Sequence, residues 1–114
     1  MNGKPDILDS EKTLELLREI ETNPQITQRH LAQKCGISLG KTNFLLKALL
    51  DKGVIKANNF KNSKNKISYL YILTPDGIKT RLELTHKFLI QKTEEYEQLK
   101  RDIESLALKK QEVL

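Results

Sequence analysis

In the stretch "DSEKTLELLREIETNP", Leu14, Leu17 and Ile20 recur at steps of three. That spacing lines them along one face of a helix. Ser10 stands before the run as an N-cap, and Asn23-Pro24 ends it, because a residue ahead of proline is pushed out of the helical region. Residues 1–9 carry no such pattern and are expected to form a flexible tail. Gln25-Ile26 reads as a short extended link, and Thr27 caps a second helix, "TQRHLAQKCG", with Leu31, Ala32 and Cys35 on one face. Gly36 is its stop signal. Ser38 then caps a third helix that runs to about Lys52 and halts at Gly53. Past Gly53 the pattern changes. Val54–Phe60 and Ile67–Leu73 are β-type runs separated by the polar turn "KNSKNK", which predicts a hairpin. In "LTPDG", Thr74 is a cap and Pro75 takes the first helical position. No proline or glycine follows Gly77, so the chain reads as helix from there to its end.

Helix, tight glycine turn, helix, then hairpin is the order of a winged helix-turn-helix. The expected fold is therefore mainly α, an α+β winged helix. Three helices and a two-stranded wing occupy residues 10–76, and a long helix over 77–114 serves for dimerisation. The turn explains its residue types. Ala32 is small where two helices cross, Gly36 is free to adopt the left-handed conformation, and Ile37 plugs the corner. The segment "GISLGKT" at first suggests a phosphate-binding loop. That loop needs four residues between its glycines. Only Ile37, Ser38 and Leu39 separate Gly36 from Gly40, so the glycines belong to a turn and the first turn of a projecting helix.

Charge sharpens this picture. The net charge of the 114 residues is +5, but it is unevenly spread. Residues 25–70 hold Arg29, Lys34, Lys41, Lys47, Lys52, Lys56, Lys61, Lys64 and Lys66 against Asp51 alone. Such a concentration predicts a polyanionic partner, most simply nucleic acid. The helix-turn-helix order points to double-stranded DNA. RNA is the less suited option, because the chain lacks a stacking sheet of aromatics. At about 100° per residue, Thr42, Leu45, Leu46 and Leu49 of the third helix face inward. Gly40, Phe44, Lys47 and Asp51 face outward, with Lys41 and Asn43 on the flanks. The outward residues are the candidate DNA contacts, and each also has a plainer role. Ser38 binds a phosphate or only caps its helix. Gly40 admits close approach of a duplex. Lys41 and Lys47 meet phosphates or guanine edges, or only solvent. Asn43 suits the bidentate amide contact to adenine. Phe44 either packs on a thymine methyl or tucks against the hairpin. At the wing tip, Lys61, Lys64 and Lys66 form a basic finger for the backbone or minor groove.

With "TQRHLAQKCGISLGKTNFLLKALLDKGVI" (27–55) and "YILTPDGI" (71–78) in view, the chain resembles the MarR-type winged helix-turn-helix transcriptional regulators. In compact length and long terminal helix it is similar to the small regulators associated with exopolysaccharide gene clusters. The resemblance implies that Ser38, Gly40, Lys41, Asn43, Phe44 and Lys47 fall where such proteins contact operator DNA. Phe44 departs from the polar or basic residue often found there. The extra helices that build the family's larger dimerisation region and effector pocket have no counterpart, so no phenolic ligand site is carried over and an effector stays unknown.

Along the last helix, Ile78, Leu82, Leu89, Tyr96, Leu99, Ile103, Leu106 and Val113 fill eight of eleven heptad seam positions. Leu82, Leu89, Tyr96, Leu99, Ile103 and Leu106 are the candidate dimer contacts. A homodimer on a pseudo-palindromic operator is the expectation, and a helix folded back on its own domain is the alternative. Leu84, Phe88 and Ile90 widen the stripe near its start. His30 and His86 lack a surrounding motif, Cys35 is alone, and the acidic residues suit a solvated face. These features point away from an enzyme, a metal site or a cofactor. Cys35 reads as a small core thiol, with redox sensing the other possibility. A protein-interaction adaptor is the competing function, although it has no need of so many lysines. No apolar run approaches the roughly 20 residues of a membrane span. The first residues hold no apolar signal stretch either, so a cytoplasmic protein is expected.

Overall fold

The structure is a computed structural model that describes residues 7–61, 64 and 67–113. Its elements are α1 (Glu11–Thr22), α2 (Gln28–Cys35), α3 (Leu39–Asp51), β1 (Ile55–Lys61), β2 (Ile67–Leu73) and α4 (Pro75–Val113). The chain divides into two compact units, and the second begins at Thr85 within α4.

Capping fixes where each of the first three helices begins. The hydroxyls of Ser10, Thr27 and Ser38 accept hydrogen bonds from the backbone N–H groups of Thr13, His30 and Lys41. Each satisfies a donor that the first helical turn leaves without a carbonyl partner. Gly36 ends α2 in the left-handed region at φ 66°, which a side chain would resist. Ile37 N–H then donates to the Ala32 carbonyl, so the chain reverses sharply into α3. The Lys12 ammonium of α1 donates to the Cys35 carbonyl at 2.8 Å and closes the C-terminal end of α2.

The core of the first unit lies where α1, α2 and α3 meet. Leu16, Leu17, Ile20, Leu31, Leu45 and Leu49 have no exposed surface. Leu16 joins the helical stripe of Leu14, Leu17 and Ile20, because α1 is covered over a wider arc than one stripe. The buried hydroxyl of Thr42 donates to the Ser38 carbonyl at 2.9 Å, so its burial leaves no polar atom unmet. Two expectations need correction. Ile7–Asp9, assigned to the flexible tail, forms a 3-10 turn that buries Leu8, and residues 1–6 lie outside the described ones. β1 starts at Ile55 and ends at Lys61, one residue later than its pattern suggested at each end.

β1 and β2 pair antiparallel, with Ile55 opposite Leu73, Ala57 opposite Tyr71 and Asn59 opposite Tyr69. These pairs share one face of the ribbon, since successive side chains alternate. The hairpin is tied to the helices at its base. Tyr71 N–H donates to the Pro24 carbonyl at 3.1 Å, and Thr74 N–H to the Val54 carbonyl at 3.0 Å. Thr74 also caps α4, its hydroxyl accepting from Gly77 N–H at 3.0 Å. Gly77 sits so near this strand that a Cβ built on it would lie 1.9 Å from the Val54 carbonyl oxygen. The first turns of α4 bury Leu84, and Arg81 pairs with Glu21 of α1.

In the second unit, α4 continues as a single helix whose residues from Leu89 to Glu112 are all exposed. Leu89, Tyr96, Leu99, Ile103 and Leu106 recur along one stripe of it, each more than 60 % exposed. Lys92–Glu95 and Glu97–Lys100 ion pairs lie within the helix, both at 3.8 Å. Exposed pairs of this kind add only a few tenths of a kcal/mol.

Candidate nucleic-acid interface

α3 shows its two faces clearly. Thr42, Leu45, Leu46 and Leu49 are buried, while Gly40, Lys41, Phe44, Lys47 and Asp51 are exposed. Phe44 is 56 % exposed, so it does not tuck against the hairpin. Leu39, at the first position of α3, is also exposed. Ser38 is exposed beside the helix N-terminus, where backbone N–H groups and the helix dipole favour an anion. Apart from its chain neighbours and the backbone of its own helix, no atom of the described residues lies within 4 Å of a Cβ built on Gly40. Internal packing therefore gives no reason for glycine at that position.

Asn43 differs from its neighbours. It is half-buried, and its Nδ2 donates to Gln28 Oε1 of α2 at 3.2 Å. Gln28 Nε2 in turn donates to the hydroxyl of Tyr71 on β2 at 3.1 Å. Tyr71 has a buried ring, and Tyr69 stacks beside it with ring centroids 6.2 Å apart. Tyr69 itself is 56 % exposed and carries the same ribbon face toward the wing tip. Sequence reasoning missed Gln28, Tyr69, Tyr71 and Leu39. The period of two along β2 puts Tyr69 and Tyr71 on one side and was the available signal. Gln28 gave none, because its partners lie 15 and 43 residues away.

At the wing, Lys61 ends β1 and Lys64 lies in the turn, both exposed. Lys66, Asn62, Ser63 and Asn65 lie outside the described residues. Arg29, Lys34, Lys52 and Lys56 are exposed as well, so the described basic residues of this segment lie at the surface.

Cys35 is buried at the end of α2. Burial pushes its thiol pKa up, the carboxylates of Glu15 and Glu19 push it further, and the Lys12 ammonium opposes them. A thiol held protonated is a poor nucleophile, and its position is that of a small core residue. Among the described residues there is no cluster of His, Cys, Asp and Glu able to hold a metal ion. No helix of the described residues is long and apolar enough to cross a membrane.

This architecture defines a winged helix-turn-helix protein. Residues 9–56 match the family described as winged helix-turn-helix DNA-binding. Solved structures of the same fold include transcriptional regulators. MepR, a transcription regulator of the Staphylococcus aureus multidrug efflux pump MepA, is 20 % identical with a TM-score of 0.56, over 85 % of this chain and 76 % of its own. The PcaV transcriptional regulator of Streptomyces coelicolor is 14 % identical with a TM-score of 0.58, over 87 % of this chain and 79 % of its own. A point mutant of S. aureus MepR, bound to an oligodeoxyribonucleotide, is 20 % identical with a TM-score of 0.56, over 85 % and 76 % of the two chains. No curated protein matches the chain by sequence.

Proposed function

We propose that this protein is a transcriptional regulator that binds double-stranded DNA sequence-specifically as a homodimer. α3 enters the major groove and the wing lies on the flanking backbone or minor groove. The observation that carries this reading is the outer face of α3. It exposes Lys41, Phe44 and Lys47 around a glycine that packing does not require, in a fold whose match is a DNA-binding one. Lysines meet phosphates, Gly40 admits the duplex, and the Phe44 ring has an apolar surface to offer a thymine methyl. Ser38, at the N-terminus of α3, offers a hydroxyl and backbone amides to a phosphate. Lys61 and Lys64 extend the positive surface along the wing.

A single winged helix reaches few base edges. Two copies related by a two-fold axis engage half-sites about one helical turn apart, or a multiple of it. The exposed stripe of Leu89, Tyr96, Leu99, Ile103 and Leu106, with Leu82 ahead of it, supports self-association through α4. The MepR–oligodeoxyribonucleotide complex supports the DNA partner by likeness of fold. No catalytic centre forms part of this reading.

In vitro selection of bound duplexes by the purified protein tests it. The expected product is a pseudo-palindrome with two half-sites. Recovery of unrelated sequences, or no retention at moderate salt, counts against it.

A further inference from the structure

Asn43, on the flank of α3, has its amide already engaged within the protein. Its partner, Gln28, lies at the first position of α2, and Gln28 is engaged in turn by Tyr71 of the wing strand. Three elements distant in sequence thus meet through one amide. We propose that Gln28 is a positioning residue for base recognition, holding the Asn43 side chain in place on the flank of α3 through its own tie to the Tyr71 hydroxyl. This rests on the DNA-binding reading above and names the device that sets its base preference.

The chain of bonds couples the two amides. A carboxamide has a donor end and an acceptor end, and it can turn by 180° unless its partners distinguish the two. A hydroxyl that accepts from an amide nitrogen can equally donate to an amide oxygen. Tyr71 Oη accepts from Gln28 Nε2 at 3.1 Å, with the nitrogen end of Gln28 toward the wing. Its oxygen end then faces α3 and accepts from Asn43 Nδ2 at 3.2 Å. One Nδ2 hydrogen of Asn43 is committed by that bond. The second hydrogen and Oδ1 remain to meet a base edge as a donor and an acceptor. That pair matches N7 and N6 of adenine, the contact that asparagine makes best. Were the Asn43 amide alone turned over, Oδ1 would face the Gln28 oxygen and two acceptors would oppose each other, so the two amides turn together or not at all.

The tyrosine ring supplies the fixed point. It is buried, stacked beside Tyr69, and its own backbone N–H is bonded to the Pro24 carbonyl. The hydroxyl is therefore held in place by the hairpin base, while Asn43 and Gln28 belong to helices. A free asparagine on an exposed helix face would sample several rotamers, and part of its discrimination would be lost in ordering it on binding.

Selection of bound DNA by the parent protein and four variants tests the proposal, with thermal melting to establish folding. Asn43→Ala identifies the base position that Asn43 reads. Gln28→Leu keeps the bulk but neither bond, and is expected to relax preference at that same position by roughly tenfold. Tyr71→Phe removes only the hydroxyl that tethers Gln28, so it relaxes that position in part. Gln28→Glu is the informative rescue. One carboxylate oxygen still accepts from Asn43 and the other accepts from the Tyr71 hydroxyl, so the preference is retained while the added negative charge lowers affinity for all sequences alike.

The proposal is overturned if Gln28→Leu, folded, keeps the full preference at the Asn43 position, or if Gln28→Glu loses as much as Gln28→Leu. It is also overturned if Asn43→Ala changes no base preference, an outcome that leaves DNA binding itself intact. Should Gln28→Leu not fold, Tyr71→Phe and Gln28→Glu decide the matter, the first expected to relax the position and the second to hold it. Failure of the parent protein to bind duplex DNA selectively is a different result. It removes the DNA-binding reading first and this proposal with it.

Discussion

Gly40 and Cys35 show how much one side chain, or its absence, decides. A glycine in the first turn of a helix costs stability relative to alanine, because it gives up more backbone freedom on folding. Space beside Gly40 is open, so a methyl group there meets nothing of the protein. Gly40→Ala is therefore expected to raise stability by a few tenths to about 1 kcal/mol while weakening operator binding. Urea unfolding and a gel shift on the same preparation check the two signs. Equal or tighter DNA binding by the variant would remove Gly40 from the interface. Cys35 makes a prediction in pH. Its folded-state pKa lies above that of the unfolded thiol. Below the unfolded value both states keep the proton, and the thiol contributes no slope. Between the two values the unfolded chain ionises and the folded one does not, so stability falls as pH rises, by up to about 1.4 kcal/mol per unit. Comparing urea midpoints of the parent and Cys35→Ala, both reduced, near pH 7 and pH 9.5 isolates this group. The parent should lose more stability than the variant on the alkaline side.

Elements bring those residues to bear. α3 is placed by three devices: the Ser38 cap, the left-handed Gly36 ahead of it, and the buried stripe beneath it. Lys12 adds a fourth from a distance, because its bond to the Cys35 carbonyl ties the end of α2 to α1. The hairpin is anchored at its base by Pro24, Val54 and Thr74, and the close approach of Gly77 to Val54 lets α4 leave directly from β2. A rigid base with basic residues toward the tip suits a wing that touches backbone and reads little sequence. Lys64→Ala is accordingly expected to weaken binding to all duplexes alike and to lower the slope of log affinity against log salt by about 0.9. A titration from 50 to 200 mM salt measures it, the concentrations being roughly those over which phosphate contacts change affinity most. An unchanged slope would take Lys64 off the phosphate backbone.

At the scale of the molecule, the second unit poses the question of what covers it. A helix with Leu89, Tyr96, Leu99, Ile103 and Leu106 all exposed leaves apolar surface in water, where burial of each such side chain is worth about 1.5–3 kcal/mol. Leu99→Ala together with Ile103→Ala is expected to weaken the homodimer by at least roughly a hundredfold in dissociation constant. Sedimentation over a concentration series reads this directly, and a parent protein that remains monomeric at every concentration would end the dimer reading.

Much of this protein was legible in its residue order, and for a definite reason. Helix faces, caps and turns depend on neighbours three or four positions apart, so Leu45, Thr42, Ser38 and Gly36 declared their roles locally. The concentration of lysines in one segment pointed to a polyanion without any coordinates. Tertiary structure decided what depends on partners far along the chain. It brought Leu8 into the core from a segment too short to show a period, and it covered Leu16 by packing α1 over a wide arc. It also joined Asn43 to Gln28 and Gln28 to Tyr71 across the turn and the wing. No periodicity foretells such a bond, because its strength comes from the meeting of three elements in space and not from the preference of any one of them.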